Sequence, residues 1–171
     1  MSINVIAACD LNYGIGYKNE LLFRIKKDLQ RFRQLTEDQI VVMGRKTFES
    51  LPAPLPNRKN VILTRNEHYK VPNGVIVEHS FERIINHYLE TGKQDKDLWI
   101  IGGSEIYELF MPYADKVYLT MIVEEKEQVD AYFPHEILDE SFDWFNFERH
   151  YCTERNLNYM FVDYVRKAGD N

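Results

Sequence analysis

The sequence predicts a single-domain α/β protein with a mostly parallel sheet and an antiparallel edge, on three observations. Short apolar runs rich in β-branched residues recur along the chain, each bounded by turn residues, as buried strands are. Segments of helical period lie between several of them, and strand–helix–strand alternation implies parallel strands covered by helices. The tail changes character: residues 142–151 and 159–166 are aromatic-rich and without helical period, and read as a closing antiparallel pair.

In chain order, the first strand is predicted over residues 3–8. A helix over 25–35 follows, with apolar positions Ile25, Leu29, Phe32 and Leu35 three to four apart. A strand over 40–43 ends at Gly44 and leads into a helix over 45–51. Strands over 61–63 and 75–77 precede a helix over 81–89. The strand over 98–101 stops at Gly102-Gly103 before a helix over 104–111, and a strand over 117–122 leads to the tail. No repeat, low-complexity tract or Pro/Gly/Ser-rich linker interrupts this order, so residues 1–171 are read as one domain.

Composition narrows the function classes. With 44% apolar and 13% aromatic residues in 171, the chain can bury a real core. A net charge of −6 argues against broad nucleic-acid binding, which needs a basic field. Two cysteines, Cys9 and Cys152, make neither a disulfide framework nor a CxxC metal site; buried free thiols are expected, and no metal. Ile6-Ala7-Ala8-Cys9 superficially resembles a lipoprotein cleavage site, but no basic residue precedes the short apolar run and it lies close to Met1. No apolar stretch reaches the roughly 18 residues of a membrane span. A cytosolic protein is expected, with no membrane or nucleic-acid partner.

Four places carry candidate chemistry. Asp28 lies three residues after Ile25 and four before Phe32, on the helix stripe expected to face inward. A carboxylate there is costly unless paired or functional, and would suit a polar heterocycle. The alternative is an acid favoured by the helix dipole, or one swung out to water. The second place is Met43-Gly44-Arg45-Lys46-Thr47, a strand end opening into a helix with two cations and a hydroxyl. Free amides and cations suit a pyrophosphate, although a plain turn with a solvated helix start has the same pattern. Third, Ile101-Gly102-Gly103-Ser104-Glu105-Ile106-Tyr107 places adjacent glycines between strand and helix. It lacks the GxGxxG spacing, and a tight turn is the alternative. Fourth, Leu63-Thr64-Arg65 offers a hydroxyl and a guanidinium at a strand end, which suit a 2′-phosphate.

Taken together, and in this order, these pieces resemble the dihydrofolate reductase family over residues 3–165. Ala7-Ala8, Gly14-Ile15-Gly16, Asp28, Gly44 to Ser50, Leu55-Pro56-Asn57-Arg58, Ile101-Gly102-Gly103, Tyr107, Tyr118-Leu119-Thr120 and Phe133-Pro134 carry the match. The resemblance implies a three-layer α/β/α sandwich around a mixed sheet of about eight strands. It also implies NADPH-dependent reduction of 7,8-dihydrofolate to tetrahydrofolate, with hydride to pterin C6 and a proton to N5, serving one-carbon metabolism and thymidylate synthesis. Asp28 would be catalytic and hold the pterin with Thr120. Ile6, Ala8, Phe23, Phe32, Ser50, Leu55, Ile101 and Tyr107 would line the substrate site, and Arg58 would pair with the glutamate tail. The cofactor would touch Ala8, Ile15, Gly16, Gly44, Arg45, Lys46, Thr47, Leu63, Thr64, Arg65, Ile101, Gly102, Gly103, Ser104, Glu105, Ile106 and Tyr107. A cis peptide at Gly102–Gly103, closure of loop 11–24 with Asp130 as its latch, binding of antifolate inhibitors and a monomeric state complete the implied set.

The chain departs from the family pattern at Leu21-Leu22-Phe23, where Leu-Pro-Trp is usual, and at Ile25-Lys26-Lys27, where a proline before the acid is usual. Phe23 lacks the indole N–H that holds a water near the pterin. Asn57 and Val129 stand where glycines are common. Two other readings remain open at this point: a reductase of riboflavin synthesis, against which Asp28 and Arg58 argue, and a non-catalytic nucleotide-binding or structural module with the same fold.

Overall fold

In the computed structural model, which describes residues 1–90 and 95–169, the apolar runs assemble into one eight-stranded sheet. The elements are β1 (Ile3–Cys9), β2 (Gly14–Tyr17), β3 (Glu20–Leu21), α1 (Lys26–Thr36), β4 (Ile40–Gly44), α2 (Arg45–Ser50), β5 (Lys59–Leu63) and β6 (Ile76–Glu78). They continue with α3 (Phe81–Ile85), β7 (Leu98–Gly102), α4 (Ser104–Phe110), β8 (Lys116–Ile122), β9 (Ala131–Tyr132), α5 (His135–Ser141), β10 (Phe142–Cys152) and β11 (Leu157–Arg166). The strand order is β10-β11-β8-β1-β7-β4-β5-β6. Only β11 runs antiparallel, pairing so with both β8 and β10; the remaining pairs are parallel.

Strand alternation assigns the residues to two faces. Val5, Ala7, Val42, Leu98, Ile100 and Val117 point to one side, where Ile84 of α3, Ile106 and Phe110 of α4 and Leu138 of α5 cover them. Ile6, Val41, Met43, Ile62 and Trp99 point to the other, against Phe32 and Leu35 of α1 and Phe48 of α2. Three layers result.

The structure corrects several expectations. Leu29, assigned to the inward stripe of the first helix, is 41% exposed, and Ile25 is buried but precedes the helix as its cap residue. The inward face runs through Asp28, Phe32, Leu35 and Thr36 instead, since a 3.6-residue turn brings Asp28 rather than Leu29 over the sheet. The predicted 81–89 helix is α only through Ile85 and then widens into a π-helical turn, Asn86–Glu90. Cys152 is half-buried, whereas Cys9 is fully buried as expected. Helix α5 and the three-stranded sheet β3-β2-β9 were not foreseen, being too short to show a period. Among the described residues no helix is long and apolar enough to cross a membrane, and no group of three or more His, Cys, Asp or Glu could hold a metal ion.

Candidate active site

Helix α1 crosses the sheet where β8 carries Thr120, and the Thr120 hydroxyl donates to Asp28 Oδ1 at 2.5 Å. Of the two readings left open for Asp28, the structure thus selects the paired, inward-facing one. Burial pushes the Asp28 carboxyl above its ordinary value, while the Thr120 hydrogen bond and the Arg31 guanidinium pull it back down. A half-buried acid held upward in this way can change its protonation during a reaction. Around it stand Ile6, Phe32, Leu55 and Ile101, all in the apolar layer beneath α1 and α2, with Ala8 nearby in a second cluster.

Two strand-to-helix turns meet beside this cleft. Strands β4 and β7 are neighbours, so the starts of α2 and α4 come together. An added Cβ on Gly44 would stand 3.1 Å from Ile106 Cγ1, and one on Gly103 would stand 3.5 Å from Thr47 Oγ1. Gly102 has φ +120°, which strains any side chain, and an added Cβ would also crowd Tyr107 Oη at 3.2 Å. The Gly102–Gly103 peptide is cis, as the resemblance implied. Neither helix start has a side-chain cap, and Ser104 Oγ is buried with no hydrogen-bond partner among the described residues. Uncapped amides, an unpartnered hydroxyl and the cations Arg45 and Lys46 are a donor set that fits a pyrophosphate.

At the far end of this groove the charges are exposed. Arg45 pairs with Glu49 at 3.2 Å and Arg65 with Glu105 at 3.8 Å. Thr64 lies between them in sequence order at the end of β5, and its carbonyl accepts from His79 Nδ1 at 2.8 Å. A carbonyl only accepts, so Nδ1 carries the proton in this bond. His79 was missed in the sequence. It follows β6, and the Leu63–Glu78 register that sets it beside Thr64 has no sequence signal.

Arg58 occupies the opposite end. Its Nη1 donates to Thr36 Oγ1 at 3.0 Å and its Nε to the Pro56 carbonyl at 2.9 Å, and its guanidinium lies 5.9 Å from the Phe32 ring centroid. Asn57, beside it, has φ 55°, which explains why asparagine stands where glycine is common. The buried Asn60 side chain ties down Leu55, accepting from its N–H at 3.0 Å and donating to its carbonyl at 2.9 Å.

The remaining assigned residues sit less centrally. Ser50 is exposed and donates to the Thr47 carbonyl at 2.6 Å, closing its own helical turn. Tyr107 is buried and its hydroxyl donates to the Ile6 carbonyl at 2.8 Å. Phe23 is 5% exposed, packed with Ile25, Ile122, Leu157, Tyr159 and Phe161, and the Lys126 ammonium lies 4.8 Å from its ring centroid. Ile15 is buried beside Gly16, in the hairpin of loop 11–24. That hairpin is tied to the loop that carries Asp130: Lys18 N–H donates to Asp130 Oδ2 at 2.9 Å and Asp130 N–H to the Gly16 carbonyl at 3.1 Å. Val129 fills the space that a side chain on Gly14 would need, at 2.9 Å. Asp10 was missed: its fully buried carboxylate accepts from the N–H groups of Asn12, Gly14 and Lys126 at 2.9, 2.8 and 3.0 Å. One short acid after an apolar strand gives no hint of such a knot.

Comparison with known proteins bears on this geometry. The family model for dihydrofolate reductase matches residues 2–166. A dihydrofolate reductase of Haemophilus influenzae is 40% identical over 136 residues, covering 78% of this chain and 79% of its own. That of Bacillus subtilis is 34% identical over 168 residues, covering 96% and 95%. Among solved structures, dihydrofolate reductase from Enterococcus faecalis complexed with NADP(H) and RAB-propyl superposes with a TM-score of 0.88 at 32% identity, covering 97% of this chain and 96% of its own.

Proposed function

The chain belongs to the dihydrofolate reductase family, and from that premise we propose how its own residues carry the reaction. The reaction is the NADPH-dependent reduction of 7,8-dihydrofolate to 5,6,7,8-tetrahydrofolate. Bound NADPH supplies a hydride, taken up at pterin C6.

Asp28 is the catalytic residue. Its carboxylate holds the 2-amino group and N3 of the pterin, with Thr120 orienting it, and favours proton uptake at N5. The Asp28–Thr120 pair against apolar walls is the observation that carries this assignment. Ile6, Ala8, Phe32, Leu55 and Ile101 exclude water from the flat ring, which strengthens the polar contacts that remain. Arg58, prearranged by Thr36 and Pro56, takes the glutamate carboxylate of the substrate. Gly44 to Thr47 and Gly102 to Ile106 hold the cofactor's pyrophosphate, and Arg45, Thr64, Arg65 and His79 its 2′-phosphate. The Lys18–Asp130 latch keeps loop 11–24 over the cleft. Antifolates would take the same pocket as the pterin. The protein acts as a monomer in the cytosol, which sedimentation and fractionation would check. A spectrophotometric assay with dihydrofolate and NADPH tests the whole: an unmodified protein that turns over, with Asp28→Asn crippled at neutral pH, is the expected result.

A further inference from the structure

The helical turn that carries Asp28 is tied at two points to the C-terminal hairpin. From α1, Arg31 Nη2 donates to Asp163 Oδ1 at 2.6 Å. Asp163 is buried in β11, and its other oxygen accepts from Asn146 Nδ2 of β10 at 3.0 Å. Asn146 Nδ2 also reaches Glu148 Oε1 at 3.4 Å, and Glu148 Oε2 lies 3.1 Å from His150 Nε2. His150 Nδ1 then meets Lys27 Nζ, back on α1, at 2.9 Å. An ammonium only donates, so Nδ1 accepts there and Nε2 carries the ring proton toward Glu148. The polar chain leaves the helix at Arg31 and returns at Lys27, with Asp28 between.

Arg31 also stands over β8 and β11, the strands that carry Thr120 and Asp163. Its guanidinium carbon lies 4.3 Å from the Phe161 ring centroid and 5.7 Å from that of Tyr118. Phe161 pairs in register with Thr120, the donor to Asp28, and Asp163 pairs with Tyr118. Residues three apart on a helix share a face. The Asp28–Thr120 contact and the Arg31–Asp163 pair therefore sit two rungs apart on one ladder. The Arg31 and Asp163 side chains are only 16% and 6% exposed, so water screens them weakly.

The other groups around Asp28 are a thiol, phenols and outlying charges. Burial pushes the Cys9 thiol of β1 up to about 12, and the phenols of Tyr107 (α4) and Tyr159 (β11) upward, so these stay neutral while a carboxylate titrates. Lys27 is exposed and engaged by His150, and Thr120 does not titrate.

We propose that Arg31, held by Asp163, is a positioning residue for the reaction: the pair keeps the Asp28 turn seated on β8 and sets the field at its carboxylate. The inference rests on Asp28 being the acid. Because Asp163 offsets part of the Arg31 charge, the two partners act on Asp28 in opposite directions. Loss of the cation makes the carboxylate easier to protonate. Loss of the Asp163 charge leaves the cation unopposed and makes it harder.

Single-turnover hydride transfer, measured against pH with NADPH and dihydrofolate on the full chain, tests this. Because the proposed reaction takes up a proton at N5, the rate is expected to fall as the pH rises. Arg31→Met should move the midpoint of that fall upward by about half a pH unit, about threefold in rate on the falling limb. Asp163→Asn, which keeps an oxygen for Arg31, should move it downward, and Arg31→Lys, which keeps the charge, should leave it near the unmodified position. Should methionine leave Asp163 too poorly paired to fold, Arg31→Gln takes its place. A purely structural loosening moves both partners' midpoints the same way, so shifts of equal sign, or none, overturn the proposal. Asp28→Asn is measured alongside. Near-normal turnover there would sink the assignment of the acid itself, whereas a crippled Asp28→Asn with unmoved midpoints sinks only the role of Arg31.

Discussion

The two ends of the cleft are built from the same residue types under opposite conditions. At the proposed pterin end, Asp28, Arg58 and Arg31 are half-buried, and each is held by a group from elsewhere in the chain: Thr120, Thr36 and Asp163. At the proposed 2′-phosphate end, Arg45 pairs with Glu49 within its own helix and Arg65 with Glu105, and these side chains are 42% to 93% exposed. Buried, prearranged groups act through a weakly screened field and can orient a substrate or move a proton. Exposed pairs contribute little by themselves, respond to salt, and can exchange a carboxylate for a phosphate. One end is suited to chemistry, the other to affinity.

The largest expected effect lies at the pterin end. Asp28→Asn should cut turnover by about a hundredfold or more at neutral pH, the range of a general acid–base group, and lose less at low pH. It should also stabilise the fold. Burial raises the Asp28 carboxyl, so the folded state binds its proton more tightly than the unfolded chain does. That favourable contribution is complete below the ordinary carboxylate value and lost as pH rises through the raised folded value. Asparagine never ionises, so the variant's thermal midpoint should exceed the unmodified protein's at neutral pH and approach it in acid. A loss of both activity and stability at neutral pH would break the contrast between the two ends.

Next comes Arg58→Leu. Two charge-assisted contacts to a carboxylate are worth about 1.5–3 kcal/mol each, so the Michaelis constant for dihydrofolate should rise by about a hundredfold or more. That for NADPH should hardly change, and steady-state kinetics with both substrates varied would show whether the effect stays on one side.

At the exposed end a smaller effect is expected. Arg45→Ala with Arg65→Ala should raise the Michaelis constant for NADPH about tenfold, leave that for NADH nearly unchanged, and flatten the salt dependence of NADPH binding. Equal loss with both cofactors would mean that these cations do not contact the 2′-phosphate.

Smallest is Phe23→Trp. The added N–H restores a water-mediated bond worth about 0.5–1.5 kcal/mol, a several-fold gain in hydride transfer or dihydrofolate affinity. Phe23 is packed on all sides by Ile25, Ile122, Leu157, Tyr159 and Phe161, so the larger ring should also lower stability by about 1–3 kcal/mol. Single-turnover rates and a urea melt on the same preparation separate the two.

The sheet strands were legible because β-branched runs bounded by turns have few other uses. The elements that escaped, β2, β3, β9 and α5, are two to seven residues long and show no period. Leu29 was misplaced because an apolar residue was assumed to point inward, while the cleft reserves that face for a carboxylate. Asp28, Gly44-Arg45 and Gly102-Gly103 were singled out because they break local rules, Arg58 came only with the resemblance, and the structure adds the Thr120 bond to Asp28 and the cis Gly102–Gly103 peptide. Asp10, His79 and the Arg31–Asp163 pair break none: a lone acid, a histidine after a strand and an arginine on a helix are unremarkable until partners arrive.

The split between the two levels follows sequence distance. Periodicity, turn chemistry and motif order act over a few residues, and these were enough for the fold class and the family. The partners act over 92 residues for Asp28 and Thr120 and 132 for Arg31 and Asp163. Such pairs depend on which strands lie side by side and in what register, and packing of the whole chain chooses both. Whether a charge in this protein is a catalyst, a clamp or a solvated ornament was therefore decided by the burial and the partner that folding provides.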